Sequence, residues 1–444
     1  MKRNVCSRLG SLSIAISCFV GIIYAAFLTA SAHGQTGTFI DRQLATDLRV
    51  MSYNVLWDTI FPEKDPVKAA KFSRVINSLN PDLLNLQEIG DPFTPGWEPR
   101  DATDVRNLLN TIAPLNGGAT SWNVYMGGDN VIASKYPLSL GRTNTFPIGD
   151  KDQAIALVDL PDDQFPTDFY LINNHFKCCG GSSGDEEQRR QRQADGIVNW
   201  LEDARTPGGS INLAPGTPFA VVGDLNIVGT QTPLNTVITG NIVNNGTYGS
   251  DSPPDWDGTS LTDANPVHNG TGSTRYTYCS GGSSCATNSR NRLDYILYSD
   301  SSLDVGTKFV LNTYDMTIAQ LSATNLQRYD TAQGNSSTYY DHLPVVTDFR
   351  LFDFAESDFN YSRTVDATDL ATWQTNYGVT SGATRAMGDA NGDGRVDGRD
   401  FLVWQRQSNG GSPALAAVPE PTGLGLFLVA LIVMPLSRKR PIAA

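Results

Sequence analysis

The sequence predicts an α/β fold built on mixed β-sheets, followed by a small paired loop–helix module. Three observations carry this. Between about residues 45 and 352, short apolar runs alternate with amphipathic helical stretches. Hairpin-like spacings occur among them, which favours mixed sheets over a purely parallel one. Residues 358–407 hold two copies of one twelve-residue acidic loop, each followed by a helical pattern. At 444 residues there is room for one large core and appendages.

Taken in order, Met1-Lys2-Arg3 is a basic start, an apolar run follows to Leu28, and Ala30-Ser31-Ala32 supplies small residues. This is the three-part pattern of a secretory signal over residues 1–32, with an uncleaved anchor helix as the alternative. Strands are expected at residues 48–54, 82–87, 131–133, 154–160, 169–175, 219–223, 295–298 and 344–351. Helices are expected at 67–79 and 186–203, the second turning Ile197, Val198, Trp200 and Leu201 inward. Residues 408–417 form a Gly/Ser/Ala linker. The tail 418–444 contains Pro419-Glu420-Pro421, an apolar stretch from Leu424 to Leu436 and the basic cluster Arg438-Lys439-Arg440.

The formal net charge is −13 and the pI about 4.7. Most of the acid lies between residues 34 and 355. Such a surface repels polyanions at long range, which argues against tight non-specific duplex binding. Arg189, Arg190 and Arg192 read as the solvated face of their helix, with a local basic patch as the alternative. Of six cysteines, Cys6 and Cys18 fall in the signal. Cys178, Cys179, Cys279 and Cys285 remain for disulfides in an oxidising compartment. Cys279 and Cys285 flank a Gly/Ser loop that lets them pair, but cross-pairing with the other two stays open.

Six polar motifs stand at or just beyond the C-terminal ends of apolar runs. They are Ser52-Tyr53-Asn54, Gln87-Glu88, Asn173-Asn174-His175, Gly223-Asp224-Leu225-Asn226, Arg292-Leu293-Asp294 and Asp341-His342. Each alone reads as a turn or a structural polar group. Together they can converge on one rim of the sheets. Clustered carboxylates, carboxamides and histidines suit metal-assisted phosphoryl chemistry, in which a hard cation takes oxygen ligands and a positioned base orients water.

This ordered set resembles the endonuclease/exonuclease/phosphatase superfamily over about residues 45–352. The resemblance implies a four-layered α/β sandwich, two packed mixed β-sheets flanked by helices. It implies Mg²⁺ or Mn²⁺ held by Asn54, Glu88 and Asp341. Asp224 and Asn226 would position or deprotonate the attacking water, His342 would contact the scissile phosphate, Asp294 would orient His342, and His175 would act beside them. The implied activity is phosphate-ester hydrolysis. A phosphodiesterase acting on extracellular nucleic acid is the first expectation. A phosphomonoesterase or sphingomyelinase-type phospholipase is the alternative. A third is a non-catalytic surface or matrix protein.

In the acidic repeat, Asp358, Asn360, Ser362, Thr364, Asp366 and Asp369 correspond to Asp389, Asn391, Asp393, Arg395, Asp397 and Asp400. Oxygen groups at positions 1, 3, 5, 9 and 12 of an EF-hand-like loop suit Ca²⁺, position 7 contributing its backbone carbonyl. Gly394 occupies position 6 of the second loop, whereas Arg363 stands there in the first, so weaker binding is expected in the first. Paired loops ending in Asp resemble a type I dockerin, which implies a cohesin-like protein partner. The tail resembles the PEP-CTERM sorting signal, which implies export and retention at a membrane before processing, with the cell surface, outer envelope or extracellular matrix as destination.

Overall fold

The computed structural model describes residues 38–90, 99–115, 121–139, 153–279, 290–331 and 339–408. Two parallel crossovers organise it. In the first, β1 (Leu48–Asn54) leads through α1 (Pro66–Leu79) to β2 (Leu83–Gln87), with Asn54 level with Gln87. Asp65 caps the Val67 and Lys68 amides, Pro66 opens the helix, and Asn80 ends it in a left-handed conformation. Next come α2 (Ala102–Ile112) and the hairpin of β3 (Asn123–Gly127) with β4 (Asn130–Ser134), which pairs with β2.

The second sheet starts with β5 (Leu138–Ser139) and β6 (Ala154–Val158). Then β7 (Phe169–His175), α3 (Asp185–Arg205) and β8 (Phe219–Asp224) form the second parallel crossover, with His175 level with Asp224. The chain continues through α4 (Thr232–Thr239), α5 (Asn245–Tyr248), β9 (Thr262–Asp263), the ribbon of β10 (Tyr278–Cys279) with β11 (Arg290–Asn291), and β12 (Asp294–Tyr298). It returns to the first sheet with β13 (Leu303–Val310), α6 (Ile318–Thr324) and β14 (Val345–Leu351). The sheet orders are β13-β14-β1-β2-β4-β3 and β5-β6-β7-β8-β12-β9.

Side-chain alternation builds the layers. Leu48, Val50, Phe169, Leu171, Ala220, Val222 and Ile296 meet between the sheets. Met51, Tyr53, Leu84 and Leu86 turn outward onto Phe72, Val75 and Ile76 of α1 and Val105 and Leu109 of α2. Tyr170, Ile172 and Val221 turn outward onto Ile197, Trp200 and Leu201 of α3 and Val237 of α4. The result is the expected four layers, helix–sheet–sheet–helix.

Elements with faint periodicity escaped the sequence reading. α2 buries only Val105, Leu108 and Leu109. β3 is a half-buried edge strand, and β13 is an edge strand whose register shifts between Val305 and Lys308. The solvated face expected of α3 is also corrected at one residue. Arg190 is fully buried, because its guanidinium takes the carbonyls of Lys177, Cys179 and Gly181 and the carboxylate of Glu187.

Behind β14 stand α7 (Ala367–Asn376) and α8 (Gly398–Gln407), each opened by a capping box, Asp366 with Asp369 and Asp397 with Asp400. The repeat is reciprocal in space: the Trp373 indole donates to the Asp397 carbonyl and Trp404 to that of Asp366, at 2.9 and 3.0 Å. Cys279 is disulfide-bonded while Cys178 and Cys179 carry thiols, so Cys279 pairs with neither. Among the described residues no helix is long and apolar enough to cross a membrane. The expected signal at 1–32, the tail at 418–444, the linker beyond Ser408 and Cys285 lie outside the described residues.

Candidate active site

The inner-face positions of the central strands change from apolar to polar toward one edge. β1 reads Leu48, Val50, Ser52, Asn54; β7 reads Phe169, Leu171, Asn173, His175; β8 reads Ala220, Val222, Asp224. Both parallel pairs end at that edge. β12 runs antiparallel to β8 and begins with Asp294 opposite Asp224. β14 runs antiparallel to β1, so the preceding Asp341 and His342 reach the same rim. Behind the rim a buried network joins the sheets: Gln87 Nε2 donates to Asn173 Oδ1 at 2.6 Å, and Asn173 Nδ2 to the carbonyls of Leu86 and Val131.

Asn54 stands at the centre, its Nδ2 2.9 Å from Glu88 Oε1 and 3.2 Å from Asp224 Oδ2. The backbone here is left-handed at Leu56, Trp57, Asp58 and Glu88, an unfavourable conformation for side-chain-bearing residues. Local hydrogen bonds hold it: Leu56 N to Asn54 Oδ1, Trp57 N to Glu88 Oε2, Asp58 N to the Glu88 carbonyl, and Gly90 N to Asp58 Oδ1. Two histidines flank the carboxylates. His342 Nδ1 lies 2.8 Å from Asp294 Oδ2 and its Nε2 3.5 Å from Asp224 Oδ2. His175 Nδ1 lies 2.6 Å from Asp129 Oδ2, and its Nε2 is 3.9 Å from both Glu88 and Asp224.

Burial raises the Glu88 carboxyl to about 7; His175 opposes this and the Asp341 charge adds to it. Burial also raises Asp224, against the pull of His342. Burial acts to lower His342, but Asp294 and Asp224 outweigh it and hold the imidazole well above its usual range.

Asp224, Asp294 and His342 bring ligand atoms within 4.8 Å of one another. An imidazolium between two carboxylates has no lone pair to offer a metal, so this trio is better suited to proton and phosphate contacts. The residues that could hold a hard divalent cation are instead Glu88, Asp341 and Asn54. Glu88 and Asp341 would supply carboxylate oxygen, and a half-turn of the Asn54 carboxamide would present its oxygen. Burial above all, with the Asp341 charge adding to it, makes the ionised Glu88 costly, and a cation beside it would offset that cost.

All eight expected residues thus gather at one rim. Asn226 does so through its backbone, whose N–H donates to Asp224 Oδ1, while its Nδ2 is taken by the Phe176 carbonyl. Two residues were not foreseen. Asp129 sits in the β3–β4 turn and orients His175. Thr277 receives the Leu293 and Asp294 amides on its hydroxyl, while its carbonyl receives the Leu343 amide, joining two motifs. Only a turn signal, Gly128-Asp129, marked the first. The remaining histidine among the described residues, His268, is structural and bonds the Tyr276 carbonyl at 2.8 Å.

The acidic loops also bury their carboxylates. Asp358 and Asp369, and likewise Asp389 and Asp400, are almost fully enclosed and accept backbone N–H groups of their own loops. Asn360, Ser362, Asp366, Asn391, Asp393 and Asp397 stand beside them, with Thr364 and Arg395 at the carbonyl position. Buried carboxylates gathered among other oxygen groups fit calcium.

Residues 51–316 match the model of the Endonuclease/Exonuclease/phosphatase family, and residues 356–407 match the Dockerin type I domain. No curated protein matches the chain. Similar solved structures include the human Nocturnin catalytic domain at 17% identity, covering 70% of this chain and 96% of that one, with a TM-score of 0.39. Truncated Caenorhabditis elegans TDP2 is 14% identical over 68% of this chain and 97% of its own, with a TM-score of 0.41. An endonuclease/exonuclease/phosphatase from Bacteroides vulgatus is 14% identical over 69% and 99%, with a TM-score of 0.41. With more than half its length matched by one family model, and a dockerin domain behind that match, the chain belongs to the endonuclease/exonuclease/phosphatase family.

Proposed function

We propose that the domain is a metal-dependent phosphodiesterase that cleaves phosphate esters with water, with nucleic acid outside the cell as its substrate. The observation carrying this is the position of Asn54, within hydrogen-bond reach of both Glu88 and Asp224, with His175 Nε2 facing both of those carboxylates and His342 Nε2 facing Asp224. Glu88, Asn54 and Asp341 would hold Mg²⁺ or Mn²⁺. When bound, the cation supplies polarisation of the phosphoryl oxygen and offsets charge on the leaving oxygen.

The chain's own groups do the rest. Asp224 accepts a proton from water as the water oxygen attacks phosphorus, and Asn226 fixes Asp224 through its backbone N–H. His342, kept protonated by its two carboxylates, donates to a phosphate oxygen that gains charge. Asp294 fixes its ring, as Asp129 fixes that of His175, leaving each Nε2 facing the reacting group. The ester P–O bond breaks opposite the incoming oxygen, and the leaving oxygen takes its proton from solvent, to which Asp224 returns the proton it accepted.

The dockerin domain supports an exported protein that binds a cohesin-like partner through calcium-loaded loops. The Pro419-Glu420-Pro421 tail supports transient anchoring before release at the cell surface.

The test is hydrolysis by the full chain, with Mg²⁺, of plasmid DNA, RNA, sphingomyelin and inositol phosphates, with Asp224→Ala in parallel. Cleavage of DNA or RNA, with turnover lost about 10³-fold or more in the variant, is expected. Turnover of only the lipid or a phosphomonoester would overturn the nuclease assignment. Undiminished activity of the variant would overturn the site.

A further inference from the structure

The two acidic loops differ at their left-handed positions. The second loop has Gly392 and Gly394 at positions 4 and 6, with φ of 71° and 78°, where lack of a side chain makes the conformation easy. The first has Tyr361 and Arg363 at those positions, with φ of 57° and 68°. Two residues are thus held in a conformation that glycine suits better, and a compensating contact is expected.

Both side chains reach the catalytic domain. The Tyr361 ring is buried against Gly216, where a Cβ would lie 2.5 Å from its Cδ1, and packs edge-on to Phe354 at 5.3 Å. The Arg363 guanidinium lies 4.6 Å from the ring centre of Phe352, just beyond β14. Arg385, between the two loops, covers Tyr361 at 5.2 Å and donates to the Ala355 carbonyl. The same loop is the one whose buried carboxylates fix its backbone: Asp358 accepts the Ser362 and Arg363 amides, and Asp369 the Phe359 and Asn360 amides.

We propose that the first acidic loop is a calcium-dependent clasp between the module and the catalytic domain. A cation held by Asp358 and Asp369 fixes the loop backbone that carries Tyr361 and Arg363. Those two residues then hold segment 213–217 and the chain after β14. The second loop has no side chain at the equivalent positions and does not share this role.

The test is hydrogen exchange of the full chain in saturating Mg²⁺, with and without Ca²⁺. Calcium at ten times its Kd should slow exchange of segments 213–217 and 345–354 by up to about tenfold. Asp369→Asn should abolish this protection, and Asp400→Asn should keep it. Tyr361→Gly with Arg363→Gly copies the second loop and should retain calcium binding by calorimetry while losing protection at 213–217. Gly216→Ala removes the seat without touching the loop and should lose the protection too. Indifference of both segments to calcium in the parent chain, or equal protection in the glycine variant or in Gly216→Ala, would overturn the proposal.

Discussion

Glu88 joins the strain and the electrostatics of the site. Its carboxyl, raised to about 7 from 4.5, binds a proton more tightly in the folded chain than in the unfolded one. Without metal, this group therefore loses stabilising effect as pH rises from about 4.5 through 7. A cation competes with that proton. Mg²⁺ should therefore raise the Tm more at pH 8 than at pH 6, and thermal melts at the two pH values check this. Equal shifts would remove Glu88 from the ligand set. Asp129 offers a second test at this scale. Asp129→Asn keeps the shape but weakens the 2.6 Å bond that fixes the His175 ring. Turnover should fall about 10²-fold while circular dichroism stays unchanged.

Among the elements, α3 does more than cover the second sheet. Arg190 grips the chain just after β7, and Glu187 reaches Thr230 in the chain after β8 through its backbone N–H at 2.9 Å. One ion pair thus secures the two loops that follow His175 and Asp224. Arg190→Ala leaves Glu187 and three carbonyls without that partner and should cost about 3–5 kcal/mol in denaturant unfolding. The link between sheets is smaller. Gln87→Leu removes the donor to Asn173 Oδ1 and should cost about 1–3 kcal/mol by the same measurement.

For the whole molecule, charge decides how substrate arrives. A net charge of −13 repels a polyanion, so the long-range field opposes association with nucleic acid. Added salt screens that repulsion. The KM for a long nucleic acid should fall as NaCl rises from low ionic strength, opposite to the trend of a basic nucleic-acid-binding protein. Steady-state kinetics across a salt series measures it, and a rising KM would point to a local basic surface at the site.

The six motifs, the strand–helix–strand order at residues 48–87 and 169–223 and the loop repeat were legible in the sequence because each follows a local rule. Strands alternate with period two, so Leu48-Val50-Ser52-Asn54 and Phe169-Leu171-Asn173-His175 already show an apolar face turning polar at its C-terminal end. Loop positions repeat because ligand geometry demands it. What required the tertiary structure is pairing across long chain separations. Asp129 becomes the partner of His175 only when the β3–β4 turn meets the end of β7. Arg190 is hidden only because a loop closes over it, and Arg363, which reads as a defect in a calcium loop, finds its purpose against Phe352. Periodicity reports which face of an element is apolar. It carries no record of which distant residue that face will meet, and these contacts depend on how sheets and helices stack.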